Sequence, residues 1–151
     1  MLNFTFLVDP SSDQIKQITG LYRSAGWWGR DMPDDHSLVK QIIKGSHCFM
    51  IATEDDKIIG MGRAISDRAS DSYIQDLTII SSYRGKGIGR ALMEKTFESA
   101  RRLGYRQLYL ESLPELGRAI SLYEKAGFKN IPGPLGNSGH FGCNIWMLIE
   151  L

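Results

Sequence analysis

Apolar residues change their spacing along the chain in a way that separates strands from helices. Phe4, Phe6 and Val8 alternate with Asn3, Thr5 and Leu7 and predict a first strand that stops at Asp9-Pro10. Behind Ser11 or Ser12 as a cap, Ile15, Ile18, Leu21 and Tyr22 recur at helical spacing as far as Ala25. Asp34 with Leu38, Ile42 and Ile43 predicts a second, shorter helix ending at Gly45, and Gly26-Trp27-Trp28-Gly29 lies between the two. His47 to Thr53 and Lys57 to Ile65 are apolar runs joined by Glu54-Asp55-Asp56, as in a β-hairpin with a polar turn. Tyr73 to Ile79 predicts another strand.

From Ile88 the period lengthens. Ile88, Leu92, Phe97, Ala100 and Leu103 mark an amphipathic helix of about four turns that Gly104 ends. A strand over Gln107 to Leu110 follows, then a shorter helix marked by Ala119, Ile120, Leu122 and Tyr123 that stops at Gly127, and a closing strand over Ile145 to Ile149. Strands first, then alternating strands and helices, predict a mixed sheet flanked by helices, an α/β or α+β architecture.

Composition narrows this picture. A chain of 151 residues, 42% hydrophobic and without repeats or a linker, fits a single domain over residues 1–151. The 18 basic and 17 acidic residues leave a net charge of +1, so no whole-molecule field points to nucleic acid or to an anionic membrane. No apolar run approaches the roughly 20 residues of a membrane span, and the expected setting is the cytoplasm. Cys48 and Cys143 are expected to be free thiols there.

The chemically informative stretch is Leu77-Thr78-Ile79-Ile80-Ser81-Ser82-Tyr83-Arg84-Gly85-Lys86-Gly87-Ile88-Gly89-Arg90, where a strand feeds a helix through three glycines at alternate positions. A helix start offers backbone N–H groups without internal partners and a partial positive charge, and glycines let a phosphate come close. Arg84, Lys86 and Arg90 add cations. A nucleotide P-loop would need Gly at position 80 and Ser or Thr after the lysine, but the chain has Ile80 and Gly87. The dinucleotide fingerprint would need glycine at 90 or 92, where Arg90 and Leu92 stand.

Arg84, Gly87 and Gly89 match the Arg/Gln-x-x-Gly-x-Gly/Ala signature, and here the chain resembles the GNAT family of acetyltransferases. Ala119-Ile120-Ser121-Leu122-Tyr123-Glu124-Lys125-Ala126-Gly127-Phe128 resembles the second family motif, and Phe49 to Ile65 its preceding hairpin. The resemblance covers nearly the whole chain. It implies a mixed, mostly antiparallel sheet of roughly six or seven strands with about four helices and a splayed strand pair. It also implies that Arg84, Gly85, Lys86, Gly87, Ile88, Gly89 and Arg90 hold the pyrophosphate of acetyl-CoA. The main chain at Leu77, Thr78 and Ile79 would pair with the pantetheine arm, Tyr123 would protonate the departing sulfur, and a homodimer would form through the C-terminal strands. The implied reaction is direct acetyl transfer to a primary amine, on a small molecule, a protein N-terminus or a lysine, without metal.

Asp76 precedes Leu77 on the strand, so if Leu77 faces the core then Asp76 and Thr78 face the other side, and Asp76 is the first candidate for the base. Glu111 is the second. Family members often carry Asn where this chain has Leu116; Arg118 or Ser121 could substitute. Trp27, Trp28 and His140 are candidate acceptor contacts, while His140-x-x-Cys143 supplies too few ligands for zinc, and His36 and His47 carry no supporting context. Two other classes make distinguishable predictions: an acyl-CoA sensor would bind without turnover, and a nucleic-acid module using Arg84, Lys86, Arg90, Arg101 and Arg102 would bind with steep salt dependence.

Overall fold

The computed structural model describes residues 1–29, 31–32, 36–66, 71–136 and 142–151. Seven strands, β1 (Leu2–Phe6), β2 (Cys48–Glu54), β3 (Lys57–Ser66), β4 (Asp71–Ile79), β5 (Gln107–Ser112), β6 (Lys129–Ile131) and β7 (Ile145–Glu150), form one sheet in the order β1-β2-β3-β4-β5-β7-β6. Only β4 and β5 run parallel; the other neighbours are antiparallel. Four helices cover it: α1 (Ser12–Ser24), α2 (His36–Gly45), α3 (Ile88–Arg102) and α4 (Gly117–Ala126).

Alternation along β2 assigns the helices to faces. Phe49 and Ile51 pack with Ile15, Ile18, Leu21 and Tyr22 of α1 and with Val39 and Ile43 of α2. Met50 and Ala52, pointing the other way, pack with Ile88 and Leu92 of α3. On that second face α3 continues through Met93, Phe97 and Ala100 against Leu108, Leu110 and Met147, with α4 alongside.

The caps follow from local chemistry. Ser11 is the cap of α1, in a reciprocal pair with Gln14 that satisfies two backbone N–H groups. Asp55 and Asp56 both take positive φ (48° and 66°) in the two-residue turn joining β2 to β3, the hand that suits a twisted hairpin.

The structure departs from the expected elements in several places. The first strand stops at Phe6, and Phe6 and Val8 are 41% and 83% exposed whereas Leu7 is buried. β1 is an edge strand with one neighbour, and just past its last pair the Leu7 N–H still donates to the Phe49 carbonyl at 2.8 Å, so it is Leu7 that enters the core while Phe6 and Val8 face outward. Strand β6 and the single 3₁₀ turn Ser81–Tyr83 were not anticipated, and β5 runs on to Ser112. Asp34, where the second helical pattern begins, lies outside the described residues.

Candidate active site

β4 and β5 pair only through Asp71, Ser72 and Tyr73 opposite Gln107, Leu108 and Tyr109. Beyond that rung β4 keeps β3 as its one partner while β5 keeps β7, so a gap opens between two strands whose inward backbone groups have no ladder partner. Within the same stretch β4 is bulged: Met61 pairs with Thr78 and Arg63 with Gln75, leaving Asp76 and Leu77 opposite the single Gly62. Asp76 takes φ +54° there. A Cβ on Gly62 would stand 3.1 Å from the Leu77 side chain, so glycine makes room for the bulge.

At the far end of β4 the chain turns into α3. Gly85 and Gly87 both take φ +79°, and nothing lies within 4 Å of where either Cβ would stand. Gly87 is the N-cap of α3, without a side-chain cap and with no acidic residue in the first turn, so the N–H groups of Ile88, Gly89 and Arg90 have no helical acceptor. Arg84 folds back, its Nε donating to the Ile79 carbonyl at 3.1 Å. The Lys86 ammonium lies 4.7 Å from the centre of the Tyr83 ring, and the Tyr83 hydroxyl donates to Glu54 at 2.8 Å. Arg90 pairs with Glu94 one turn on. Gly89 marks a close approach: its Cβ would lie 3.3 Å from Leu122 of α4 and 4.0 Å from Ile79 of β4, so strand end, helix start and α4 meet at one point.

The family model described as the acetyltransferase (GNAT) family matches residues 13–128. The chain belongs to that family. The acetyltransferase is 31% identical over 141 residues to the uncharacterised N-acetyltransferase YjgM of Escherichia coli (strain K12), covering 91% of this chain and 84% of that one. Its fold matches an acetyltransferase of the GNAT family from Staphylococcus aureus Mu50 at a TM-score of 0.79 and 16% identity, over 99% of both chains. It also matches an aminoglycoside 6'-N-acetyltransferase complexed with coenzyme A, at a TM-score of 0.77 and 18% identity, over 98% of this chain and 96% of that one. The seven-stranded, mostly antiparallel sheet with four helices is the predicted architecture, splayed pair included.

Tyr123 of the acetyltransferase packs edge-on against Phe128, ring centres 6.0 Å apart, in the core that also takes Leu77. Its hydroxyl has no hydrogen-bond partner among the described residues, and burial pushes its pKa up to about 12. Leu77 packs into the α3 side of the sheet, while the bulge turns Asp76 to the α1 side, where it meets Arg63 together with Gln75. Asp76 Oδ2 accepts from the Tyr22 hydroxyl at 2.7 Å and from Arg63 Nε. Oδ1 has no partner among the described residues.

Glu111 lies on the same strand face as Tyr109, whose hydroxyl donates to it at 2.8 Å and accepts from the Leu135 N–H at 3.3 Å. Trp27 is 46% exposed and Trp28 is half-buried on Tyr22. Leu116 is the N-cap of α4 and, being apolar, makes no side-chain cap. Cys48 and Cys143 are both free thiols. His140 lies outside the described residues. Among the described residues no helix is long and apolar enough to cross a membrane.

Arg63 and Tyr22 escaped the sequence reading as site residues. A lone arginine inside the apolar run of β3 was a usable signal, because a half-buried guanidinium requires a partner.

Proposed function

We propose that this acetyltransferase moves the acetyl group of acetyl-CoA to a primary amine, on a small molecule, a protein N-terminus or a lysine, by direct attack with both substrates bound. The observation that carries the proposal is the opening of the β4–β5 gap on the strand that leads into the uncapped start of α3, against which α4 packs through Leu122, next to Tyr123 with its unpartnered hydroxyl. The residues present fit the donor: open glycine positions and free N–H groups suit a pyrophosphate, and the gap offers unpaired backbone to an extended arm.

The donor supplies a thioester carbonyl for the amine lone pair to attack and a sulfur that leaves. Arg84 to Arg90 bind its phosphates, Leu77 to Ile79 orient it, and Asp76 Oδ1 takes the proton the amine must lose. Tyr123 lies above the roughly 8.5 of a thiol, so complete proton transfer from it to a thiolate is uphill by roughly 5 kcal/mol. Tyr123 therefore acts by donating a hydrogen bond to the departing sulfur. The sulfur leaves as a thiolate held by that hydrogen bond and takes its proton from water, while Asp76 passes the amine's proton to water, so one proton is lost by the amine and one gained by the thiol; no metal takes part.

The two free thiols suit a reducing compartment, and we place the reaction in the cytoplasm. We also read the α1-side face of β5–β7, where Trp146 alternates with the buried Met147, as the surface of a homodimer.

Thiol release from acetyl-CoA across small amines, amino acids, polyamines and peptide N-termini, with the product checked by mass, tests the reaction. One acceptor class gaining 42 Da, about the mass of an acetyl group less a proton, is expected. Binding of acetyl-CoA with no release across the panel contradicts it.

A further inference from the structure

The side chain that joins the two halves of the site belongs to α1. Tyr22 is 2% exposed, and its ring stacks flat on Trp28, centroids 4.3 Å apart at 9°, and tilts against Trp27 at 5.9 Å. The backbone reinforces the contact, because the Trp27 and Trp28 N–H groups both point at the Tyr22 carbonyl, at 3.1 and 3.4 Å. One residue thus holds the aromatic pair that opens the α1–α2 connection. Its hydroxyl, at the other end of the ring, donates to Asp76 Oδ2 at 2.7 Å, across 54 residues of sequence.

Asp76 needs such a hold. A non-glycine residue at φ +54° occupies a sparsely populated backbone region and stays there only when its surroundings fix it. Two donors do so, Tyr22 and Arg63, and Arg63 is itself fixed by Gln75 Oε1 at 2.6 Å and by the Ser46 hydroxyl at 3.4 Å. Burial, and next the Asp76 charge, push the Tyr22 phenol far above its ordinary range, so it remains a donor at any working pH. Among the described residues the cluster leaves Asp76 Oδ1 without a partner and part of Trp27 exposed.

We propose that Tyr22 is a positioning residue of this enzyme, tying the Trp27–Trp28 wall to the Asp76 carboxylate so that the seat of the acceptor and the group that takes its proton are set together. The proposal rests on Asp76 as the proton acceptor. It assigns Trp27, Trp28 and Asp76 to one acceptor site that favours an amine carried on an apolar or aromatic body, the amine at Oδ1 and the body against indole.

Tyr22→Phe tests it, since phenylalanine keeps the stack and removes only the hydroxyl. With the best acceptor, kcat falls about tenfold or more, as expected for losing a hydrogen bond to a charged group, while KM for acetyl-CoA stays within about twofold. Hydrogen exchange of the 74–79 segment accelerates and that of α3 residues 92–100 does not. Trp28→Leu raises the acceptor KM, and the Tyr22→Phe/Trp28→Leu double variant is less impaired than the product of the single effects.

Unchanged kcat in Tyr22→Phe, or unchanged exchange over 74–79, overturns the proposal; a lowered melting temperature with full activity counts as that result. If wild type acetylates no amine, the exchange result still decides whether Tyr22 holds β4, and the failure then belongs to the acetyl-transfer reading instead.

Discussion

Tyr73 and Tyr109 stand opposite each other on the last rung of the β4–β5 ladder, ring centroids 5.5 Å apart, and past them the two strands part. The backbone that the proposed chemistry offers to the arm of the donor depends on that parting. The sheet stays continuous on either side because β3 holds β4 and β7 holds β5, so the gap costs pairing over a few residues only.

The glycines of the turn should separate by phenotype. Gly87 needs its φ of +79° but has empty space around it, so Gly87→Ala costs about 1 kcal/mol of backbone strain and sets a methyl where phosphate must approach. Steady-state kinetics should show a severalfold rise in acetyl-CoA KM with kcat nearly kept. Gly89 instead lies against Leu122, one residue before Tyr123, so Gly89→Val should push α4 and lower kcat. The opposite assignment of KM and kcat effects would refute this division of labour.

Ser112, 3% exposed at the end of β5, carries a hydroxyl with no partner among the described residues. A buried unpaired hydroxyl is penalised, so Ser112→Ala should be neutral or stabilising by up to about 1 kcal/mol in urea unfolding. A loss of more than that amount would show that the hydroxyl has a partner in solution.

The β2–β3 turn holds Asp56 at φ 66°, which glycine adopts without penalty. Asp56→Gly should gain about 0.5–1 kcal/mol and raise Tm by about 1–4 °C with activity unchanged, since its carbonyl still accepts from Gln17. Calorimetry checks it.

Four phenols, Tyr22, Tyr73, Tyr109 and Tyr123, are pushed above their ordinary range, in each case first by burial. Above pH 10 the unfolded chain ionises these groups and the folded one does not, so the folded state binds more protons and stability falls as pH rises. Well below pH 10 both states hold these protons and the four phenols contribute no dependence. Denaturant midpoints between pH 9 and 12 should fall, and Tyr123→Phe should flatten the slope.

The sequence exposed what repeats locally. A serine cap at Ser11 or Ser12, a glycine turn into α3 and the periodicity of α3 are all short-range patterns; the structure makes Ser11 the cap, and adds its pairing with Gln14 and the positive φ of Gly85 and Gly87. β6 was silent because Lys129–Ile131 is three residues long and held by its register with Leu148, Met147 and Trp146, a long-range fact. Tyr22 read as one more apolar position on a helix face. Its role depends on Asp76, and Asp76 reaches it through a bulge that no spacing rule announces.

The most direct test of the account compares Tyr123→Phe with wild type, measuring acetyl-CoA affinity by calorimetry and thiol release with the best acceptor. The account predicts an affinity within about twofold and a kcat lower by about a hundredfold, the range of a lost donor aimed at developing charge. A variant that keeps both its affinity and its rate would contradict it.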